Sequence, residues 1–202
     1  LMWPKLKLLS KGIKARWPNT RIIVGGVHAT LLRERALAEV QDADAVAWGE
    51  GEISMLEFVD SLAKGKVDEP IAGIALRKKS GAIAKGPDRP PIEDLDELPI
   101  PDRTLVPTNS YIPTFEQYRL LPATNMFTTR GCPFKCIFCL PDLLGKKVRY
   151  RSSMKVIEEI EYLVSEFGVK DIAFWDDTFT LNKNRVEEVC QTIIARKIPV
   201  IW

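Results

Sequence analysis

The chain has 202 residues, 46% of them hydrophobic, and a net charge of +2 from 29 basic and 27 acidic side chains. That length suits one or two domains, and the near-balanced charge offers no strong field for nucleic acid or a membrane surface. No apolar run is long enough to span a bilayer, no secretory signal opens the chain, and its four cysteines do not look like a disulfide framework, so a reducing cytoplasm is the expected compartment.

Residues 5–16 carry Leu6, Leu9 and Ile13 at helical spacing with lysines between, and Trp17 extends that face. This pattern reads as an amphipathic surface helix with a solvated basic face. Arg21–Val24 reads as a buried strand that ends in the tight turn Gly25-Gly26. A helix follows through Leu31–Val40, then a strand over Ala43–Trp48 with the exit loop Gly49-Glu50-Gly51-Glu52. Residues 53–63 have helical period, and Gly65 stops that helix. The order α-β-α-β-α argues for a parallel α/β sheet with helices on its faces. Ile71–Leu76 and Ala82–Lys85 then flank a hairpin turn at Lys79-Ser80-Gly81.

From Pro87 to Pro122 prolines and acidic residues alternate, including Pro90, Pro91, Pro107 and Pro113. Helices and inner strands tolerate such spacing poorly, so an extended surface connector is expected here. The expected division is a front domain over 1–86, a connector over 87–122 and a second domain over 123–202. In the second domain, Asn125–Thr129 reads as a strand. Ser152 or Ser153 caps a helix whose apolar face is Val156, Ile157, Ile160, Leu163, Val164 and Phe167, closed by Gly168. Asp171–Trp175 is the next strand. Residues 183–196 form a helix with Val186, Val189, Cys190, Ile193 and Ile194 inward, and Ile198–Trp202 is a third strand. The chain opens at Leu1 and stops on that apolar run, which suggests a piece of a longer protein.

The chemistry concentrates in Thr128-Thr129-Arg130-Gly131-Cys132-Pro133-Phe134-Lys135-Cys136-Ile137-Phe138-Cys139. Cys132, Cys136 and Cys139 fall in a C-x3-C-x2-C run with no obvious fourth thiol nearby. Iron–sulfur cubes normally take four thiolates, so three imply a [4Fe–4S] cluster with one open iron that can bind substrate or cofactor. Zinc prefers four Cys/His ligands in paired spacings, and the only histidine, His28, lies far upstream. Buried free thiols are a third reading of the run, disfavoured by its Pro- and Lys-containing sequence. Cys190, on the apolar face of its helix, reads as a buried structural thiol.

This run resembles the cluster loop of the radical S-adenosylmethionine (SAM) superfamily, with Phe138 in the aromatic place before the last cysteine. The resemblance implies that SAM chelates the open iron and is cleaved by an electron from the cluster to give a 5′-deoxyadenosyl radical. It also implies that Phe138 packs near the cluster or the adenine; a plain core phenylalanine is an equal reading. Phe174-Trp175-Asp176-Asp177-Thr178-Phe179 is similar to the motif at the end of the second barrel strand in the cobalamin-associated branch, where a carboxylate meets the SAM ammonium. Which of Asp176 and Asp177 points inward stays open, as does a plain turn. Arg130, Arg149 and Arg151 read either as solvated surface or as groups that offset cluster charge or bind a carboxylate.

Ile23-Val24-Gly25-Gly26-Val27-His28 and Ala43 through Glu52 are similar to the last part of the cobalamin-binding domain that precedes many radical SAM cores. There Gly25, Gly26, Gly49 and Gly51 would let backbone approach the corrin's nucleotide tail. His28 reads as a loop or cofactor-edge residue rather than a cobalt ligand. The fold implied is α/β, a partial Rossmann-like cobalamin-binding domain followed by the first half of a radical SAM partial (β/α) barrel. The resemblance further implies a methyltransferase or a related cyclase or rearrangement enzyme. A small-molecule substrate and an external electron donor of flavodoxin or ferredoxin type go with it. A radical SAM enzyme without cobalamin and an iron–sulfur electron-transfer protein are the alternatives.

Overall fold

A computed structural model describes residues 2–66, 68–106, 111–140 and 143–202. It shows a mixed α/β fold in two compact units, Leu1–Pro91 and Ile92–Trp202. Pro107 of the expected connector lies outside the described residues.

The first unit begins with α1, Met2–Arg16, whose packed side is Trp3, Leu6, Ser10 and Ile13. That stripe keeps the helical period, but Leu9 and Trp17, expected on it, are exposed. Strand β1 (Ile23–Val24) leads through Gly25-Gly26 into α2 (Val27–Leu32). The single helix expected over Leu31–Val40 is broken at Arg33, whose backbone has φ 52°, and resumes as α3, Glu34–Glu39. At the break the Arg33 side chain turns to Asp88 at 2.9 Å and lies over the Trp48 ring. Strand β2 (Ala45–Ala47), helix α4 (Glu52–Ala63) and strands β3 (Ile74–Arg77) and β4 (Ile83–Lys85) complete the unit.

The sheet order is β1-β2-β3-β4, with β1 and β2 parallel and the β3–β4 hairpin antiparallel, so the sheet is mixed rather than parallel throughout. Alternation along β2 explains its two buried faces. Val46 meets the α2–α3 side with Leu37, Val40 and Ala75, while Ala45 meets Phe58 of α4 with Ile74 and Leu76. Asp44 ties α1 to the strand starts: it accepts from Lys14 Nζ at 2.7 Å, Arg21 Nη1 at 2.8 Å and the Ile22 amide at 2.8 Å.

The second unit is built on two parallel strands, β5 (Ala123–Met126) and β8 (Asp171–Phe174), with Met126 opposite Phe174. Between them lie the short antiparallel pair β6 (Thr129–Arg130) and β7 (Arg149–Tyr150) and helix α5, Ser153–Phe167. Helix α6, Lys183–Ala195, follows β8. Thus the strand expected over Asn125–Thr129 divides in two, since Asp176 takes the amides of Thr128 and Thr129 and draws the chain out of the β5 ladder. The third strand expected at Ile198–Trp202 is a single parallel bridge between Asp171 and Ile201.

Helix α5 begins where Ser152 Oγ accepts the Lys155 amide and ends at Gly168, φ 62°, whose amide returns to the Val164 carbonyl. Val156, Ile157, Ile160 and Leu163 are fully buried against Met126, Ile172, Val189 and Ile193. Each such side chain contributes about 1.5–3 kcal/mol by leaving water. Ile194, expected inward, is 74% exposed, because the buried stripe of α6 runs Arg185–Val189–Ile193.

Candidate functional site

The cysteine loop occupies residues 131–148, between β6 and β7, so the antiparallel pair forms its stem. Gly131 opens it with φ 92°, and a Cβ there would fall 2.4 Å from the Lys147 carbonyl oxygen; only glycine fits where the two sides of the loop meet. The Cys132 amide then donates to the Gly145 carbonyl at 3.1 Å, and the Cys139 amide to the Cys136 carbonyl at 3.1 Å. All three thiols are free. Cys132 is half-buried, and Cys136 and Cys139 are exposed.

The donor chemistry suits an iron–sulfur cluster: three unpaired thiols, one loop, and two of them open to a ligand. The thiols are not gathered, however, and among the described residues no three Cys, His, Asp or Glu side chains stand close enough to form a metal group. Phe138 is 90% exposed and packs on no core. Cys190, expected as a buried thiol, is half-buried on α6 and free.

At the end of β8 the two aspartates separate. Asp176 turns to the loop stem, accepting the Thr128 amide at 2.6 Å and the Thr129 amide at 2.9 Å through Oδ1, and the Thr128 hydroxyl through Oδ2. Asp177 is exposed and makes no hydrogen bond or ion pair among the described residues.

The arginines correct the solvated-surface reading. Arg149 is buried and donates to the carbonyls of Ile92 at 2.6 Å and Leu144 at 2.8 Å. Arg151 is buried against Glu159, itself 2% exposed, and Arg103 approaches the other Glu159 oxygen at 3.6 Å. Arg130 is half-buried in β6. Arg149 is buried with its Nη1 and Nη2 donors on carbonyls, and Arg151 with its Nη1 on a carboxylate.

Sequence reasoning missed Arg185. It donates from Nε to the Arg151 carbonyl at 2.9 Å and from Nη2 to the Thr128 carbonyl at 3.2 Å. Burial pushes its guanidinium below the usual arginine value, and Asp176 is the leading charge that opposes this. The signal was positional: Arg185 starts the i, i+4, i+8 stripe that Val189 and Ile193 continue. Glu159 likewise sits inside the apolar stripe of α5. A cavity of about 340 Å³ lies on the face of β5 and β8 opposite the helices, lined by Ala123, Asn125, Ala173 and Trp175 with Arg103 and Tyr111.

In the first unit Gly25 and Gly26 end β1, and Gly49 and Gly51 follow β2, so all four lie at one edge of two parallel neighbours. Gly26 has φ 92° and would direct a side chain into open space, as would Gly49 and Gly51. His28 is a helical residue in the first turn of α2 rather than a loop residue, and its ring lies 4.1 Å from that of Trp3.

Residues 126–202, the segment that holds the loop, its thiols and the strand end beside it, match the sequence model of the Radical SAM superfamily. The family is one of enzymes that work with a [4Fe–4S] cluster and SAM. The chain is 39% identical over 185 residues to an uncharacterized methyltransferase of Pyrococcus horikoshii, covering 91% of this chain and 39% of that protein. It is 33% identical over 192 residues to the anaerobic magnesium-protoporphyrin IX monomethyl ester cyclase of Rubrivivax gelatinosus, covering 92% of this chain and 33% of that protein. Its fold matches the radical S-adenosylmethionine methyltransferase TsrM from Kitasatospora setae, solved with cobalamin and a [4Fe–4S] cluster bound, at a TM-score of 0.74 and 19% identity, over 97% of this chain and 37% of that one. The chain therefore spans two-fifths or less of the length of these proteins.

Proposed function

We propose that this chain carries the cluster end of a cobalamin-dependent radical SAM enzyme, a methyltransferase or a related cyclase. The observation that carries the reading is the juxtaposition of the three-thiol loop with Asp176-Asp177 at the end of a parallel strand, the edge where α/β folds bind ligands. Cys132, Cys136 and Cys139 are the residues to hold the cluster. When bound, the cluster supplies the electron that cleaves the SAM sulfonium.

The chain's own residues then divide the remaining work. Asp176 anchors the loop stem, while the free carboxylate of Asp177 is the one available to pair with the SAM ammonium. Phe138, exposed beside Cys139, offers an aromatic face to the adenine. The face of β5 and β8 that lines the cavity is the side where a small-molecule substrate meets the reacting carbon.

The finer architecture is part of this proposal: a partial Rossmann-like cobalamin domain over 1–86, a connector over 87–122, and the first half of a partial (β/α) barrel over 123–202. Gly25, Gly26, Gly49 and Gly51 present bare backbone at one strand edge, which suits close approach by the nucleotide tail of a corrin. The proteins named above for methyl transfer and cyclisation support the branch. An external donor of flavodoxin or ferredoxin type and a reducing cytoplasm fit a low-potential cluster.

Anaerobic reconstitution with iron and sulfide, followed by metal analysis and dialysis against hydroxocobalamin, tests the reading. The expected result is about four irons per chain, lost in Cys132→Ala, Cys136→Ala and Cys139→Ala, with corrin retained. Zinc without iron contradicts the cluster, and iron without corrin contradicts the cobalamin branch.

A further inference from the structure

Arg185 is 6% exposed and reaches from the first turn of α6 to the root of the cysteine loop. The two carbonyls it holds, Thr128 and Arg151, are the residues just before β6 and just after β7. One guanidinium thus spans both ends of the loop. Asp176 grips the same stem from the opposite polarity, taking the amides of Thr128 and Thr129. The Arg185 head lies over the rings of Tyr150 at 5.6 Å and Phe179 at 5.9 Å, which fix its plane.

The charge has no ion-pair partner, and Asp176 is the leading charge that acts on it from farther away. Arg185 Nη1 is buried without a hydrogen bond, and the residue makes no ion pair among the described residues. A structural staple needs only the two carbonyl contacts, and an uncharged donor pair would serve. A guanidinium without an ion-pair partner is instead a positive charge held in a low-dielectric setting.

We propose that Arg185 is a positioning residue of the cysteine loop, clamping its two ends and placing behind it a positive charge that makes the bound cluster easier to reduce. The second half of this statement rests on the function proposed above. Reduction adds one negative charge to a thiolate-ligated cluster, and net charge around a cluster is among the terms that set its potential.

Two variants of the full chain separate the parts. Arg185→Gln removes charge and clamp, and Arg185→Lys keeps the charge but lacks the planar fork that reaches both carbonyls. Amide hydrogen exchange on the cluster-free chain reads the clamp. Peptides spanning 127–152 are expected to exchange about tenfold faster in both variants, with the first unit unchanged. A redox titration of the reconstituted chain reads the charge. The reduced-to-oxidised ratio at fixed poise is expected to fall about tenfold in Arg185→Gln, a shift of about 59 mV for one electron, and to stay near wild type in Arg185→Lys.

Unchanged stem exchange in both variants overturns the clamp. A wild-type potential in Arg185→Gln, or an equal fall in Arg185→Lys, overturns the role of the charge. If Arg185→Gln does not fold, Arg185→Lys alone decides: faster exchange at a wild-type potential supports the proposal, and any other result overturns it. A wild-type chain that assembles no cube sinks the proposed function and the effect on reduction with it, while exchange still decides the clamp.

Discussion

Asp176 Oδ1 accepts the Thr128 amide at 2.6 Å, so the end of β8 holds the point where the chain leaves β5 for the cysteine loop. The motif that follows the second strand and the loop that follows the first are therefore mechanically joined. Asp176→Ala is expected to lower the free energy of unfolding by about 2 kcal/mol, the loss of charge-assisted bonds to backbone amides. Asp177→Ala, which removes an exposed and unpartnered carboxylate, is expected to change stability by less than about 0.5 kcal/mol. Urea unfolding of the two variants side by side checks this. Equal effects would show that the two aspartates do not divide their roles as described.

Gly131→Ala is expected to spoil the loop. The added Cβ would meet the Lys147 carbonyl at 2.4 Å from a backbone at φ 92°, so the stem must part. Strain of about 1–3 kcal/mol follows, and iron incorporation should fall well below wild type. Iron content after reconstitution, measured beside Gly12→Ala in α1 as a control whose Cβ meets nothing within 4 Å and whose backbone has no positive φ, checks it.

Glu159→Ala leaves Arg151 buried without its carboxylate and also strips Arg103 of its contact. Removing one partner of a buried pair typically costs about 3–5 kcal/mol. Ile194→Ala, on the exposed side of α6, is expected to cost less than about 0.5 kcal/mol. Thermal unfolding distinguishes the two, and a small effect at Glu159 would contradict the burial described.

Asp44 gives the first unit an acid-dependent contribution. Burial raises its carboxyl, but Lys14, the Ile22 amide and Arg21 outweigh that and hold it below the ordinary value of 3.8. A folded-state value below the unfolded one means that the stabilisation is fully present above the unfolded value and is lost as pH falls through the folded one. The stability difference between wild type and Asp44→Asn should hence be constant above about pH 5 and shrink below it. Urea unfolding across that range reads the difference directly.

Much of this was legible from residues whose chemistry acts locally. Ser152 and Gly168 mark the ends of α5 because a cap and a left-handed stop depend only on near neighbours. The cysteine spacing identified the loop for the same reason. Long-range contacts were not legible. Arg33, where the helix breaks, meets Asp88 far along the chain, and Arg149 and Arg151 are buried by partners that no local pattern reveals. The inward direction of α6 was misjudged at Ile194 because the stripe starts with a charged residue, Arg185, and hydrophobic periodicity discounts charges.

Cys132, Cys136 and Cys139 are proposed to hold a cube with an iron open to SAM. Electron paramagnetic resonance of the anaerobically reconstituted, reduced chain, recorded with and without SAM, tests it most directly. A [4Fe–4S] signal that changes shape when SAM is added and is absent from the three Cys→Ala variants is expected. A chain that yields no cube signal, or a cube that persists in all three variants, would contradict it.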